Sequence, residues 1–235
     1  MLNNYLDLVA YFGIGGAHPG GFSLSQSILM NENIQPFESV LDIGCGTGQT
    51  AEFLAQTFKC KVTAVDNHPV MLIKARERFE NNSSSVLVIE GDAQKLELHD
   101  NSFDLLIAES VITFTNIPST LSELSRLLKS GGRMILIEMT AEQSLSRELQ
   151  KKACSLYGVN EILNESEWIA KIQQAGFTQI EIIDTPADLI QTDIKDINPS
   201  GNIPIDFYDL WDEHNRFISQ YHEFIGFRVF RCYLP

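Results

Sequence analysis

Short apolar runs and amphipathic stretches take turns along this chain. Val40, Leu41 and Ile43 form a compact apolar run that predicts a buried strand. Ala51, Leu54, Ala55 and Phe58 then repeat at the i, i+3, i+4, i+7 spacing of one helix face. The alternation recurs. Val62, Ala64 and Val65 predict a strand that ends at Asp66, and Leu72, Ala75, Arg76 and Phe79 mark a helix entered through Pro69. Residues 86–89 and 103–108 predict two more strands. A helix opened by Pro118 carries Leu121, Leu124 and Leu128, with Lys129 in its last turn and Gly131 and Gly132 ending it. Residues 134–137 form the next strand, closed by Glu138.

Both ends of the chain are less regular. Leu2, Leu6, Val9 and Ala10 predict a short amphipathic helix, with Tyr5 and Tyr11 beside it. Residues 13–21, GIGGAHPGG, are a loop, because so much glycine together with Pro19 leaves no regular structure. Residues 23–30 predict a second helix. Past the middle, residues 141–159 predict an inserted helix. Asn164 and Glu167 then have the spacing of a capping box, before a helix with Trp168, Ile169, Ile172 and Ala175 that Gly176 stops. Residues 180–183 read as a strand, 184–205 as a loop, 207–224 as an aromatic-rich helix, and 227–233 as the last strand.

Composition narrows the class. A chain of 235 residues with 44% hydrophobic content fits one large domain. The net charge of −14 argues against nucleic acid and anionic membrane surfaces as partners. Cys45, Cys60, Cys154 and Cys232 form no CxxC pair, so no metal is expected. Scattered thiols without a secretory signal or a bilayer-length apolar run suggest a cytoplasmic protein.

The chemistry-bearing stretch is VLDIGCGTGQT, residues 40–50. Strand, glycine turn and helix start together let a ligand approach main-chain N–H groups. The spacing is GxGxG, not the GxGxxG of a dinucleotide fingerprint. Asp66 at the next strand tip is placed to accept ribose hydroxyls, or else to serve as a helix N-cap or turn residue. The third strand is followed by Gly91, Asp92 and Ala93; the carboxylate can accept from an exocyclic amine while the Ala93 N–H donates to a ring nitrogen. Glu109 and Ser110 close the fourth strand, where open α/β sheets bind ligands.

With Asp42 before the glycines, this ordered series resembles the class I S-adenosylmethionine-dependent methyltransferases over residues 40 to about 183. The resemblance implies a Rossmann-like, doubly wound, mostly parallel seven-stranded sheet whose last strand is antiparallel. It implies S-adenosylmethionine as cofactor, held by Asp42, Gly44, Cys45, Gly46, Asp66, Asn67, Met71, Asp92, Ala93, Glu109 and Ser110. Met71 at helical spacing is also explained by core packing. Residues 1–35 resemble the helical cap of small methyltransferases, and 36–235 the catalytic domain, with helical insertions near 141–163 and 186–224.

The acceptor expected is a small molecule, methylated by direct displacement at oxygen, nitrogen or carbon. There is no (N/D)PP(Y/F) after the fourth strand, which disfavours amino methylation of adenine or glutamine, and no Pro-Cys pair, which disfavours cytosine carbon. Tyr5, Tyr11, His18 and Phe114 are the candidate substrate contacts. Glu109, Glu138 and His222 join the two tyrosines and His18 as titratable groups, and no spacing selects a base among them. Two alternatives remain: a non-catalytic S-adenosylmethionine-binding protein, and an NAD(P)-dependent oxidoreductase.

Overall fold

The computed structural model describes residues 4–185, 194 and 196–235. Leu2 of the first expected helix, and residues 186–193 and 195 of the expected 184–205 loop, lie outside that set. In chain order the elements are α1 (Asn4–Phe12), α2 (Gly21–Met30), β1 (Ser39–Ile43), α3 (Gln49–Phe58), β2 (Lys61–Asp66), α4 (Pro69–Asn81), β3 (Val86–Glu90) and β4 (Phe103–Glu109). After a short 3-10 turn at Ile112–Phe114 come α5 (Ile117–Leu127), β5 (Leu128–Ala141), α6 (Arg147–Tyr157), α7 (Glu165–Gln174), β6 (Gln179–Ile183), α8 (Ile205–Tyr221) and β7 (Ile225–Tyr233).

The seven strands form one sheet in the order β3-β2-β1-β4-β5-β7-β6. β1 pairs in parallel with β2 and β4, β2 with β3, and β4 with β5, whereas β7 runs antiparallel to both β5 and β6. Side-chain alternation along each strand feeds two core layers. Leu41, Ile43, Leu106 and Leu136 pack with Leu121, Leu124 and Trp168 of α5 and α7. Val40, Leu105, Ile107 and Ile135 pack on the other face with Ile28, Leu54 and Phe79 of α2, α3 and α4. Burying a side chain of this size stabilises the fold by ~1.5–3 kcal/mol. The strand order reverses beside β1, which places a ligand crevice at the carboxyl ends of β1 and β4.

Two expectations need correcting. The fifth strand does not end at Glu138; β5 runs on through Met139, Thr140 and Ala141 because β7 offers Phe227, Gly226 and Ile225 as pairing partners. The helix before it stops at Leu127, so Lys129, Gly131 and Gly132 belong to the strand. The Lys129 ammonium lies 2.7 Å from Asp104 instead of sitting at a helix end. The capping box on Asn164 and Glu167 is present as expected.

Helices α1, α6 and α8, all outside the sheet layers, meet over the carboxyl end of the sheet. Leu8, Val9 and Ala10 of α1 bury against Met71 and against α8 residues Phe207, Leu210 and Trp211. Met139 of β5 packs with Leu156 and Tyr157 of α6 and Phe217 of α8.

Candidate functional site

A cavity of about 290 Å³ opens beneath those helices at the ends of β1, β2 and β4. Its polar half is organised by Asp66. One carboxylate oxygen accepts the Gly46 N–H at 2.8 Å, the other accepts the His68 N–H at 2.8 Å, and the Asp66 carbonyl accepts from Gly91 N–H at 3.0 Å. One residue therefore ties together the turns after β1, β2 and β3. The sequence offered a ribose contact, a helix cap or a turn residue as alternatives. The cap of α4 is instead the His68 side chain, whose Nδ1 accepts from Val70 N–H at 3.2 Å.

The glycine turn works differently from the sequence expectation. The N–H groups of Cys45, Gly46 and Gly48 are bonded internally, to Val65 O, Asp66 and Cys45 O. The turn contributes close approach more than donors. Gly46 has φ +54° and, among the described residues, a Cβ there would meet only Met71, at 3.9 Å, so the space beside it belongs to the cavity. At Gly44, by contrast, a Cβ would lie 2.4 Å from Val111.

Beneath the turn sit three carboxylates, Asp42, Asp66 and Glu109. Burial, then Glu109 and Asp66, push the Asp42 carboxyl well above the usual range. Burial likewise raises Asp66 against the pull of its backbone donors. Glu109 accepts from the Thr50 hydroxyl at 2.8 Å and lies 3.5 Å from His18 Nε2. His18 is buried, with Nδ1 3.0 Å from Pro19 O and Nε2 3.1 Å from the Ser25 hydroxyl. Among the described residues, the buried oxygens Asp42 Oδ2, Gln49 Oε1 and Ser110 Oγ have no hydrogen-bond partner.

Of the expected contacts, Gly44, Cys45, Gly46, Asp66, Asn67, Met71, Asp92, Ala93, Glu109 and Ser110 border the cavity, as do Tyr5, His18 and Phe114. Asp42 lies behind them. The Asp92 carboxylate holds its own turn, accepting from the Gln94 N–H at 2.9 Å. Tyr11 is placed elsewhere: it packs edge-on against Phe207 at 5.5 Å and does not border the cavity. His222, at the end of α8, is exposed. Glu138 is buried and accepts from the N–H groups of Val111, Ile112 and Thr113 at 3.1, 2.8 and 3.3 Å, so it fixes the turn after β4 instead of reaching the cavity.

The other half of the cavity comes from the two helical insertions expected near 141–163 and 186–224; the sequence singled out Tyr5 and Phe114 there, but neither Tyr157 nor His214. Tyr157 from α6 and Trp211, His214 and Ile218 from α8 border it with Tyr5 and Met139. Tyr5 meets Tyr157 edge-on at 4.9 Å, and the Tyr157 hydroxyl shares a 3.2 Å hydrogen bond with His214 Nδ1. Burial lowers the His214 imidazole to about 4, so it is neutral at pH 7. Among the described residues no group of three or more His, Cys, Asp or Glu side chains is placed to hold a metal, and no helix is long and apolar enough to cross a membrane.

Strand order and crevice define a Rossmann-like α/β protein built around a small-molecule cofactor site. Residues 40–132 match a family described as methyltransferase domain. The chain is 33% identical over 233 residues to the uncharacterized methyltransferase YodH of Bacillus subtilis, covering 99% of this chain and 100% of that one. It is 28% identical over 189 residues to the malonyl-[acyl-carrier protein] O-methyltransferase of Paenibacillus, covering 71% of this chain and 68% of that protein. The fold superposes with a TM-score of 0.78 on phosphoethanolamine N-methyltransferase 2 of Haemonchus contortus in complex with S-adenosyl-L-methionine, at 23% identity. That match covers 98% of this chain and 57% of the nematode chain. The chain belongs to the class I S-adenosylmethionine-dependent methyltransferases. Its site suits that cofactor: the buried Gln49 Oε1 and Ser110 Oγ border the cavity without a partner, beside Asp66 and Glu109, so an ammonium can donate N–H groups there and a sulfonium adds positive charge near the carboxylates.

Proposed function

We propose that this chain methylates a small molecule, binding S-adenosylmethionine across the ends of β1, β2 and β4 and the acceptor under α1, α6 and α8. The observation that carries this reading is the division of one cavity into an acidic half at Asp66 and Glu109 and an aromatic half at Tyr5, Tyr157 and Trp211. Each Asp66 oxygen already accepts one backbone N–H and keeps a lone pair for a ribose hydroxyl. Asp92 and the Ala93 N–H suit an adenine edge; Asn67 and Met71 border the same end of the cavity. Glu109 and Ser110 suit the cationic end, with Asp42 behind them.

Bound there, the cofactor supplies a methyl group already activated on a sulfonium. The protein's task is alignment and exclusion of water. Residues 1–35 then act as a cap, since Tyr5, Leu6, Val9 and His18 close one side of the cavity. The α6 and α8 insertions close the other. Free thiols at all four cysteines are in keeping with a cytoplasmic setting.

The test is calorimetry with S-adenosylmethionine and S-adenosylhomocysteine, followed by a labelled-methyl screen of small acceptors. Binding with turnover supports the reading. No binding of either compound by folded protein at millimolar concentration sinks it.

A further inference from the structure

Resting on that reading, the geometry points to an uncharged, hydroxyl-bearing aromatic compound as the acceptor, its hydroxyl held by His214 and its ring by Tyr5, Tyr157 and Trp211. His214 stands among all three rings: 5.2 Å from Tyr5, 5.8 Å from Tyr157 and 5.4 Å from Trp211, centroid to centroid. Walls of this kind gain their energy by stacking and edge contacts with another ring.

The polar contact is equally selective. Tyr157 occupies His214 Nδ1, which leaves Nε2 as the free ring nitrogen among the described residues. In one tautomer the Tyr157 hydroxyl donates to Nδ1, and Nε2–H donates to the ligand. In the other, Nδ1–H donates to the Tyr157 oxygen, and Nε2 accepts. A hydroxyl answers both tautomers, because it donates and accepts. A phosphate or carboxylate only accepts and also brings charge. Its charge would face Asp66 and Glu109 in a cavity whose described lining contains no lysine or arginine. An unpaired buried anion is strongly disfavoured.

The same neutral imidazole suits the proton movement of such a reaction. The hydroxyl oxygen forms the new bond to carbon as the sulfur–carbon bond breaks, and the hydroxyl proton passes to His214 Nε2. That proton becomes strongly acidic as the oxygen gains its third bond, so a weakly basic acceptor suffices, provided it starts unprotonated.

The experiment titrates protein saturated with S-adenosylhomocysteine with 2-naphthol and with 2-naphthyl phosphate, in the native chain and in His214→Phe. Native protein should bind the naphthol at least about tenfold more tightly than the phosphate, and His214→Phe should lose about tenfold for the naphthol alone, the scale of one hydrogen bond. S-adenosylhomocysteine affinity should stay within about twofold. Equal or tighter phosphate binding overturns the inference, as does no naphthol binding or naphthol affinity unchanged by the substitution. Should the variant not fold, the two-ligand comparison on native protein decides alone. Failure to bind S-adenosylhomocysteine is a different outcome, and counts against the cofactor reading itself.

Discussion

His68 Nε2 lies 3.0 Å from the Asp7 carboxylate, joining the first helix to the turn that follows β2. The tautomer is set by its neighbour. Val70 N–H donates to Nδ1, so Nε2 carries the proton and donates to Asp7. The His68 backbone N–H meanwhile donates to Asp66. One histidine thus connects the first helix to the carboxylate that ties together the turns after β1, β2 and β3. α1 also supplies Tyr5, Leu6 and Val9 to the cavity wall, so a ligand that exits on this side must displace the helix. Asp7→Asn weakens the latch by about 1 kcal/mol, which predicts roughly fivefold faster release of S-adenosylhomocysteine. Stopped-flow displacement measures this directly. An unaltered release rate would mean that exit does not pass under α1.

Asp66 carries architecture, and under the proposed reading binding as well. Removing its carboxylate leaves the Gly46 and His68 N–H groups without their acceptor as well as removing any ribose contact. Asp66→Ala should therefore lower unfolding stability by ~1–3 kcal/mol and weaken cofactor binding by ~1.5–3 kcal/mol. Denaturant titration and calorimetry separate the two losses. A folded variant with native affinity removes Asp66 from the cofactor site.

Gly46 offers a cleaner probe of close approach. Its φ of +54° strains an alanine by ~1–2 kcal/mol, yet among the described residues the added methyl would meet only Met71. The methyl would project into the cavity. Gly46→Ala should stay folded, with a melting point a few degrees lower, and lose tenfold or more in cofactor affinity, about 1.4 kcal/mol. Full retention of affinity would show that no ligand atom comes near this turn.

The glycine turn, Asp66 and the strand–helix alternation were legible because their signals are local. A period of apolar residues, a run lacking Cβ atoms and an acid at a strand tip each speak within a few residues. What escaped was set by distant partners. β5 extends past Glu138 only because β7, far along the chain, supplies the pairing. His18 was named as a contact, but its partners were not: it is Ser25 and Glu109, outside the glycine-rich loop, that hold it inside. Tyr157 and His214 occupy two separate insertions, and nothing in either helix announces the other. Tyr11 went the opposite way: proximity to Tyr5 in sequence put it on the list of contacts, while helical geometry turns it toward Phe207.

Glu138 provides a pH signature that is independent of any ligand. Burial pushes its carboxyl up to about 7 although three backbone N–H groups favour the charged form. A carboxyl raised in the folded state binds its proton more tightly there than in the unfolded chain. Its stabilising effect is therefore complete below the unfolded value of about 4.5 and is lost as pH climbs through about 7. The difference amounts to about 3 kcal/mol across that window. Native protein should lose more stability between pH 5 and pH 8 than Glu138→Gln, which does not titrate; urea unfolding at both pH values gives the comparison. The glutamine places an amide NH2 against the backbone donors of the 3-10 turn, so it should be less stable than native protein at pH 5. Near pH 8 the gap should narrow, because the native carboxylate then carries its desolvation cost. A gap that widens with pH would mean that the three backbone donors, and not burial, govern this carboxyl.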